Sequence, residues 1–289
     1  MRILVTGATG FTGSYVVPLL LQQQAQICCL VRESSDTSVL PAERIEFVYG
    51  DLNNPVVVEQ ALQEIDVLVH IASLGSGHAR EIVNAAVGAR VQRAIFVSTT
   101  AIFTSLDAPS KSVRLAAEAY IRRSGLAYTI LRPTMIYGSI RDRNMCRLIR
   151  YLKRWPVIPI FGSGEYLQQP VYVEDVAAAV LQAISTDGTI GQAYNIPGAT
   201  ALTYNQVIDT IGKLLGGPVW KIHVPMAPIV TGLRAVERLA FPLPIKAEQI
   251  QRMNEDKAFS WEESKRDFGY QPHSFAEGIR LELGQMGLM

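Results

Sequence analysis

The chain has 289 residues, of which 48% are hydrophobic and 18% are charged, and its formal net charge at pH 7 is +1. This apolar content excludes intrinsic disorder, and the length suits one large domain or a domain with a dependent lobe. The balanced charge gives no reason to expect nucleic-acid binding. No run approaches the ~18 apolar residues of a membrane span, so we expect no integral membrane segment.

The N-terminus and the cysteines predict a reduced, cytoplasmic protein. Met1 leads directly into the apolar run "RILVTG", which leaves no room for a signal peptide. Cys28 and Cys29 are neighbours in another apolar run, and adjacent side chains on a strand point to opposite faces, so a disulfide between them is disfavoured. Together with Cys146 they show no metal-ligand spacing, and we therefore expect buried thiols and no metal site.

Up to about residue 135 the sequence alternates short apolar runs with helical patterns. Near-continuous apolar runs are typical of strands covered on both faces. The predicted strands are Ile3–Val5, Gln26–Val31, Ile45–Val48, Val67–His70, Ala94–Ser98 and Tyr128–Leu131. The predicted helices between them are Ser14–Gln24, Val56–Glu64, Arg80–Gly88 and Val113–Ser124. This alternation predicts an α/β fold, a Rossmann-type doubly wound parallel sheet, over residues 1–135.

After Pro133 the pattern loosens, and residues 136–289 are predicted to form a smaller, mixed α/β substrate lobe, with about 170–198 returning to the core. A basic helical stretch (143–154) precedes a turn-rich stretch (155–164). A strand (170–173) then leads into a helix (174–184), whose first amides Asp175 could cap. Further predicted elements are a strand at 192–198 and helices at Tyr204–Leu215, Ala227–Phe241 and Ala247–Met253.

The segment "RILVTGATGFTGSYVV" carries the strongest functional signal. Gly7, Gly10 and Gly13 stand directly between the first strand and the first helix. A tight turn there needs a residue that tolerates positive φ, and close approach to a pyrophosphate needs the absence of a Cβ. The helix N-terminus beyond it offers free N–H groups to an anion. The context predicts a dinucleotide site rather than a merely structural glycine turn.

The end of the second strand predicts the choice of cofactor. Arg32 follows that strand, where an arginine pairs with the 2′-phosphate of NADP and an acidic residue binds the 2′-hydroxyl of NAD. Ser34 and Ser35 could assist the phosphate contact. We therefore favour NADP, with NAD as the alternative in which Arg32 is solvated and Glu33 or Asp36 serves the ribose.

These motifs resemble the short-chain dehydrogenase/reductase superfamily, in its extended and atypical branches related to NAD-dependent epimerases and dehydratases. Besides "TGATGFTG", the segments "VYGDLNN", "DVLVHIAS", "RAIFVSTTAIF", "LAYTILRPTMIYG", "PVYVEDVAAAV" and "GQAYNIPG" follow in the family's order over nearly the whole chain. The resemblance implies that the cofactor contacts are Gly7, Thr9, Gly10, Phe11, Thr12, Gly13, Arg32, Asp51, Leu52, Ala72, Ser98, Pro133 and Thr134.

The family's catalytic residues are changed in this chain. The resemblance implies a Ser/Thr that orients the substrate, a tyrosine acid or base, and a lysine four residues later that lowers the tyrosine pKa. Thr100 matches the first position, but Ser110 and Arg114 stand at the other two, and no tyrosine has a lysine four residues after it. Lys111 is a candidate acid, although a solvated helix lysine explains it equally well. Thr100 could likewise be a strand-end hydroxyl bonded to backbone.

The substrate positions also depart from the family. Members that act on nucleotide sugars carry an arginine for the diphosphate where this chain has Gln168. Arg141, Arg143 and Arg147 could compensate, or could form a solvated basic helix face. Tyr137 could reach the substrate or close the core. The candidate substrate residues are therefore Tyr137, Arg141 and Gln168.

Three functions remain open at this point. The first is an atypical NADP-dependent oxidoreductase that reduces a small carbonyl or quinone-like substrate. The second is a non-catalytic NAD(P)-binding protein with a structural or redox-sensing role, which the missing tyrosine favours. The third, a nucleotide-sugar epimerase or dehydratase, is disfavoured by Ser110, Arg114 and Gln168. A small molecule is the expected partner, and the chain is expected to be a monomer or homodimer.

Overall fold

Seven parallel strands form the central sheet of the computed structural model, which describes residues 1–106, 108–226 and 254–289. Strands are numbered along the chain, and those of this sheet are β1 (Arg2–Thr6), β2 (Gln26–Val31), β3 (Ile45–Tyr49), β4 (Val67–His70), β5 (Arg93–Val97), β6 (Tyr128–Pro133) and β11 (Gln192–Ile196). Their order is β11-β6-β5-β4-β1-β2-β3. From β1 the chain adds β2 and β3 on one side and then β4, β5 and β6 on the other, so the strand order reverses between β1 and β4. Ligands bind at this reversal point in such folds.

Helices cover both faces of the sheet. They are α1 (Gly13–Gln22), α2 (Pro55–Ala61), α3 (Ala79–Gly88), α4 (Pro109–Arg123), α5 (Met145–Arg154), α6 (Val173–Ser185), α7 (Tyr204–Leu214), α8 (Glu262–Phe268) and α9 (Phe275–Gln285). The α1, α6 and α8 side chains share one buried cluster with one face of the sheet. The α2, α3 and α4 side chains share another cluster with the opposite face. The predicted α/β Rossmann fold is confirmed, and all six strands predicted up to residue 135 are present within two residues of their expected ends.

The two adjacent cysteines lie on opposite faces of the sheet, as predicted. Cys28 packs in the cluster with α2 to α4, and Cys29 packs in the cluster with α1 and α6. Both are buried and free, as is Cys146. Burial raises the pKa of the Cys28 thiol to about 11, so this thiol stays protonated and unreactive at neutral pH.

Three two-stranded sheets accompany a third buried cluster, which α5, α7 and α9 share. The parallel pair β7 (Ile136–Tyr137) and β10 (Val171–Tyr172) continues the chain beyond β6. The antiparallel pair is β9 (Leu167–Gln168) with β12 (Leu202–Thr203), and the other parallel pair is β8 (Val157–Phe161) with β13 (Trp220–Val224).

Some predictions for the second half of the chain were wrong or incomplete. The stretch 155–164, predicted to be turn-rich, contains strand β8, because Ile158 and Ile160 alternate into the buried cluster on one face. Helix α4 begins at Pro109, four residues before its predicted start. The predicted helices Ala227–Phe241 and Ala247–Met253 lie outside the described residues. No helix in the described ranges has the length and apolar character needed to cross a membrane.

Asp175 joins helix α6 to the C-terminal segment. Its carboxylate accepts hydrogen bonds from the backbone N–H of His273 at 2.9 Å and from ring atom Nδ1 of His273 at 2.6 Å. The expected capping of the α6 amides is therefore wrong, since no side chain caps that helix start. Burial raises the pKa of Asp175, and the hydrogen bonds from His273 oppose that shift. The bonds hold the start of α9 beside α6.

Glu282 on α9 gives the fold a specific pH dependence. It is fully buried, and its carboxyl oxygens have no hydrogen-bond partner within the described part of the chain. Burial, together with the nearby Asp142 carboxylate, raises its pKa from 4.5 to about 10. A raised folded-state pKa means that stability is greatest below pH 4.5 and falls as the pH rises towards 10.

Glu282→Gln should therefore stabilise the protein by about 3 kcal/mol at pH 7, and the gain should shrink towards pH 4.5. Urea unfolding between pH 5 and 9 measures it. The control is Glu277→Gln on the same helix: the pKa of Glu277 is lowered by its hydrogen bonds with Ser274, so this variant should gain nothing as the pH rises. A stability difference for Glu282→Gln that does not change with pH would contradict the assignment.

Candidate functional site

A groove of about 660 Å³ lies at the carboxyl ends of β1, β2 and β4. It is lined by Gly7, Thr9, Gly10, Leu30, Val31, Arg32, Ser34, Ser35, Asp36, Gly50, Asp51, Leu52, Asn53, Ala72, Ser73, Ser76 and His78. Seven of the thirteen residues predicted to contact a cofactor are among them. The groove therefore occupies the reversal point of the sheet, at the edge where a dinucleotide is expected.

The turn between β1 and α1 needs glycine at two positions for different reasons. Gly7 has φ +73°, and a Cβ added to it would lie 2.7 Å from the backbone nitrogen of Ala72. A Cβ on Gly13 would lie 2.2 Å from the carbonyl oxygen of Gly7. Gly10 differs, because it is exposed along the groove and its Cβ would meet only the Gly7 oxygen, at 3.1 Å. Gly7 and Gly13 thus allow the turn to close, and Gly10 keeps the groove open.

The start of α1 fits a bound anion. No side chain caps this helix, and its first turn contains no acidic residue. Within the described residues, the amide N–H groups of Phe11 and Thr12 have no hydrogen-bond acceptor. An uncapped helix N-terminus with unpaired amides carries partial positive charge, which a pyrophosphate would neutralise. The residues present therefore fit the pyrophosphate of a dinucleotide.

The other end of the groove combines one cation with polar groups. Arg32, Ser34 and Ser35 follow β2 along the groove wall. Asp36 lies there too, but its carboxylate accepts hydrogen bonds from the backbone and hydroxyl of Ser38, which lower its pKa. Asp51 is similarly held, because its Oδ1 atom accepts the backbone N–H of Asn53 at 2.8 Å. The backbone bond from Asn53 lowers the pKa of Asp51, and the nearby Arg32 charge lowers it further, so the Arg32 guanidinium lies at this end of the groove, where it could bind a phosphate.

Three predicted cofactor residues lie at the carboxyl ends of β5 and β6 and are buried. The Ser98 hydroxyl donates to Glu118 at 2.6 Å, and the Thr134 hydroxyl donates to the Gln169 carbonyl. The Pro133 carbonyl accepts the Thr100 hydroxyl at 3.4 Å. Their side chains stabilise this edge of the sheet, and none lines the groove.

The predicted catalytic residues separate into two groups. Thr100 is buried against Pro133, but Ser110 and Arg114 form a pair on one face of α4. Arg114 Nη1 donates to Ser110 Oγ at 2.8 Å. The guanidinium lies against the turn after β4, since a Cβ on Gly75 would be 3.1 Å from its central carbon. The Arg114 guanidinium therefore lies beside Gly75, in the same turn as Ser73 and Ser76, which line the groove.

Lys111, the candidate acid, points elsewhere. Its Nζ atom donates to the backbone carbonyl of Thr104 at 2.5 Å. This bond ties the start of α4 to the loop before it. The lysine therefore has a structural contact in this chain.

A second cavity, of about 400 Å³, opens beyond the end of β6. It is lined by Met135, Arg143, Asn144, Met145, Arg147, Leu148, Gln168, Pro170, Tyr204, Val207 and Lys257. Gln168 is the one predicted substrate residue on its wall, and its Oε1 atom faces Lys257 Nζ at 3.5 Å. The volume and the apolar floor suit a small organic molecule.

The other two predicted substrate residues lie outside this cavity. Tyr137 is buried among Tyr172, Phe275 and Gly278, and burial raises its pKa far above the usual value. Arg141 extends towards the cofactor loop, and its Nη2 atom donates to the Thr9 carbonyl at 2.8 Å. Tyr137 thus closes the core, while Arg141 links the segment before α5 to the groove.

Several lining residues were not anticipated from the sequence. Met135 follows two predicted cofactor residues and could have been included on spacing alone. Lys257 carried no signal, because it is 89 residues from Gln168 and belongs to no recognisable motif. His78 and Asn53 reach the groove together, with 3.4 Å between the His78 ring and the Asn53 amide oxygen. In the described ranges, no group of three or more His, Cys, Asp or Glu residues could hold a metal ion.

Comparison with known proteins supports a nicotinamide cofactor. Residues 7–187 match the profile of a family described as NAD(P)H-binding. Mitochondrial NADH dehydrogenase [ubiquinone] 1 alpha subcomplex subunit 9 of Arabidopsis thaliana is 26% identical over 93% of this chain and 74% of its own length. NAD(P)H azoreductase of Xenophilus azovorans is 28% identical over 82% of this chain and 83% of its own length. Quinone oxidoreductase 2 of Escherichia coli K12 is 27% identical, with 81% and 82% covered.

Solved structures share the fold over the whole chain. The crystal structure of gox2253 superposes with a TM-score of 0.81 at 21% identity and covers 100% of this chain and 99% of its own. DesIV, a dTDP-glucose 4,6-dehydratase from Streptomyces venezuelae determined with NAD and TYD bound, gives a TM-score of 0.78 at 20% identity and covers 99% and 97%. At these identities the likeness establishes the Rossmann epimerase/dehydratase fold.

Two substitutions in the glycine loop together test whether the groove binds the cofactor. Gly10→Val should leave the fold intact but abolish NADPH binding, because its side chain would project where the pyrophosphate belongs. Gly13→Ala should instead destabilise the fold by about 1–3 kcal/mol, since its Cβ overlaps the backbone of Gly7. Fluorescence titration with NADPH and thermal unfolding separate the two effects. Normal NADPH binding by folded Gly10→Val would show that the cofactor lies elsewhere.

Proposed function

Because this chain belongs to the NAD(P)H-binding family, we propose that it is an NADP-dependent oxidoreductase that reduces a small quinone-like or carbonyl acceptor. The observation that carries the proposal is the position of the 400 Å³ cavity. It begins at Met135, two residues beyond Pro133 at the carboxyl end of β6, on the same sheet edge as the cofactor groove. An acceptor in this cavity and a nicotinamide bordering β6 would be neighbours.

Different residues along the groove would bind different parts of the cofactor. The Phe11 and Thr12 amides would hold the pyrophosphate, and Arg32 with Ser34 and Ser35 would hold the 2′-phosphate of NADP. The Gly7 backbone packs directly against the Ala72 backbone, and this leaves room for the cofactor to pass over the turn. When bound, the reduced nicotinamide supplies a hydride to the acceptor.

Ser110 and Arg114 do not line the cavity, and they would polarise the acceptor at the end that extends from the cavity towards the start of α4. The Ser110 hydroxyl accepts a hydrogen bond from Arg114, so its own O–H remains free to donate to an acceptor oxygen. The guanidinium behind it favours negative charge on that oxygen as hydride arrives. A serine cannot deliver its proton as a tyrosine would, because its pKa is far too high. The proton would come from solvent.

The lack of a strong proton donor favours quinone-like acceptors over simple ketones. Hydride addition to a quinone leaves a phenolate-type anion, whose conjugate acid resembles tyrosine with a pKa of about 10. Such an anion is stable without immediate protonation, whereas an alkoxide from a ketone is much more basic. The relatives described as a quinone oxidoreductase and an NAD(P)H azoreductase support the same acceptor class.

A second candidate is a non-catalytic, redox-sensing or structural protein that binds NADP. Ser110 in place of the family's tyrosine favours it, as does similarity to a subunit of mitochondrial NADH dehydrogenase over 93% of the chain. Turnover separates the two candidates. Binding of NADPH without acceptor-dependent oxidation of it would support the second. A cytoplasmic location and a monomeric or homodimeric state stay predictions from the sequence.

Arg32 should decide the cofactor preference. One charge-assisted contact contributes ~1.5–3 kcal/mol, so NADPH should bind about ten- to a hundredfold more tightly than NADH. Arg32→Ala should remove that preference with little change in NADH affinity. Arg123→Ala, at an exposed arginine near the end of α4, is the matched control and should leave both affinities unchanged. Equal binding of the two cofactors by the unmodified protein, or an unchanged preference in Arg32→Ala, would contradict the NADP assignment.

Ser110 should contribute more to the turnover of ketones than to the turnover of quinones. Loss of a donor to a developing oxyanion costs about 10²–10³-fold in turnover in dedicated sites. Ser110→Ala should approach that loss with an aldehyde or ketone and lose less than about tenfold with a quinone, whose product anion is more stable. Ser112→Ala, two residues along α4, serves as the control. Equal losses for both acceptor classes would argue against polarisation by Ser110.

A further inference from the structure

Arg141 reaches the cofactor groove from the second half of the chain. It stands between β7 and α5, four residues after Tyr137 and four before Met145. Its exposed side chain extends to the turn between β1 and α1, where its Nη2 atom donates to the Thr9 carbonyl at 2.8 Å. Because Thr9 lines the groove, this bond places the Arg141 guanidinium at the rim of the groove.

The Thr9 carbonyl is close to the amides that fit a pyrophosphate. The unpaired N–H groups of Phe11 and Thr12 follow Thr9 by two and three residues, in the tight turn that the bond from the Gly10 N–H to the Gly7 carbonyl closes at 3.0 Å. A guanidinium has several N–H donors, and the bond to Thr9 uses one of them. Its other donors can therefore serve an anion held at this turn.

The Arg141 charge also acts on the part of the groove that follows β2. The pKa of Asp36, a lining residue, is lowered chiefly by the hydrogen bonds from Ser38 and to a smaller extent by the Arg141 charge. Asp36 directly follows Ser34 and Ser35, which we assign to the 2′-phosphate. Arg141 thus stands at the rim between the glycine turn and this stretch of the groove wall.

The segment that carries Arg141 is fixed by its own hydrogen bonds. The Ser139 hydroxyl oxygen accepts the backbone N–H of Arg141 at 3.1 Å, and the Ser139 carbonyl accepts the backbone N–H of Asp142 at 3.1 Å. Buried Asp142 in turn accepts the backbone N–H groups of Asn144 at 3.0 Å and Cys146 at 3.1 Å. A fixed backbone lowers the cost of ordering this arginine around a ligand.

We propose that Arg141 binds a phosphate group of the dinucleotide and closes the cofactor groove from the side of α5. Its guanidinium would bridge the Thr9 carbonyl and a phosphate oxygen, which the planar arrangement of its donors allows. The phosphate is either the pyrophosphate at the unpaired amides before α1 or the 2′-phosphate that Arg32 would also bind. This inference rests on the proposed binding of NADP in the groove, but it does not depend on reductase turnover.

Binding of five ligands to the full chain tests the role of Arg141 and identifies the phosphate. NADPH and NADH are titrated directly, and ADP, adenosine 2′-monophosphate and adenosine are measured by displacement of NADPH fluorescence. Arg141→Met removes the charge but keeps an unbranched side chain. Because Arg141 is exposed, its contact with the phosphate should contribute about three- to tenfold in affinity. Arg141→Lys, which retains the charge, should recover most of that loss.

The pattern of loss in Arg141→Met distinguishes the two phosphates. Weaker binding of NADPH, NADH and ADP alike would assign Arg141 to the pyrophosphate. Weaker binding of NADPH and adenosine 2′-monophosphate alone would assign it to the 2′-phosphate. Adenosine carries neither group, so its affinity should not change. Arg150→Met, at an exposed arginine on α5, is the matched control and should leave all of these affinities unchanged.

Unchanged affinity of Arg141→Met for every phosphate-bearing ligand would overturn the proposal. So would an equal loss for adenosine, because the substitution would then have displaced the glycine turn through the lost bond to Thr9. These failures concern Arg141 alone, since the unmodified protein would still bind NADPH. Failure of the unmodified protein to bind either dinucleotide would instead overturn the proposed function and the role of Arg141 together.

Discussion

At the point where the strand order reverses, the backbone of Gly7 lies close to the backbone of Ala72. This close approach sets the geometry of the sheet edge that carries the groove. Gly7 turns with φ +73° against Ala72, and Gly13 brings the start of α1 against the Gly7 carbonyl. A Cβ at either glycine would push β1, β4 or α1 apart by tenths of an ångström or more. With the turn closed, the Phe11 and Thr12 amides just before α1 have no acceptor in the described ranges, and this end of the helix fits a pyrophosphate.

The cavity beyond β6 depends on contacts between segments that are far apart in the sequence. The bonds from His273 to Asp175 hold the start of α9 beside α6, and α9 packs with α5 and α7 in the third buried cluster. Helix α5 then presents its arginines beside β9, and Lys257 arrives from the C-terminal return of the chain. The Arg141 contact with the Thr9 carbonyl connects this assembly to the cofactor loop.

The strands and the glycine turn that frame the groove were readily predicted because their signals are local. Apolar runs buried on both faces identified the strands, and the glycine spacing between strand and helix identified the loop. The surroundings of the cavity beyond β6 were predicted poorly because long-range packing decides them. From the sequence alone, Tyr137 could have faced the substrate or the core, and only the structure places Gly278 and Phe275 around it. Strand β8 was missed because its partner β13 is some sixty residues away. Ser110 and Arg114 were identified by resemblance, but their mutual hydrogen bond required the structure.

We propose that a cofactor in the groove delivers hydride to an acceptor held at the end of β6. Anaerobic single-turnover oxidation of NADPH by a naphthoquinone, with deuterium placed in turn on each face of the nicotinamide C4, tests it most directly. Label should be lost from one face only, and only the form labelled on that face should react more slowly. Oxidation no faster than in buffer, or loss of label from both faces alike, would contradict it.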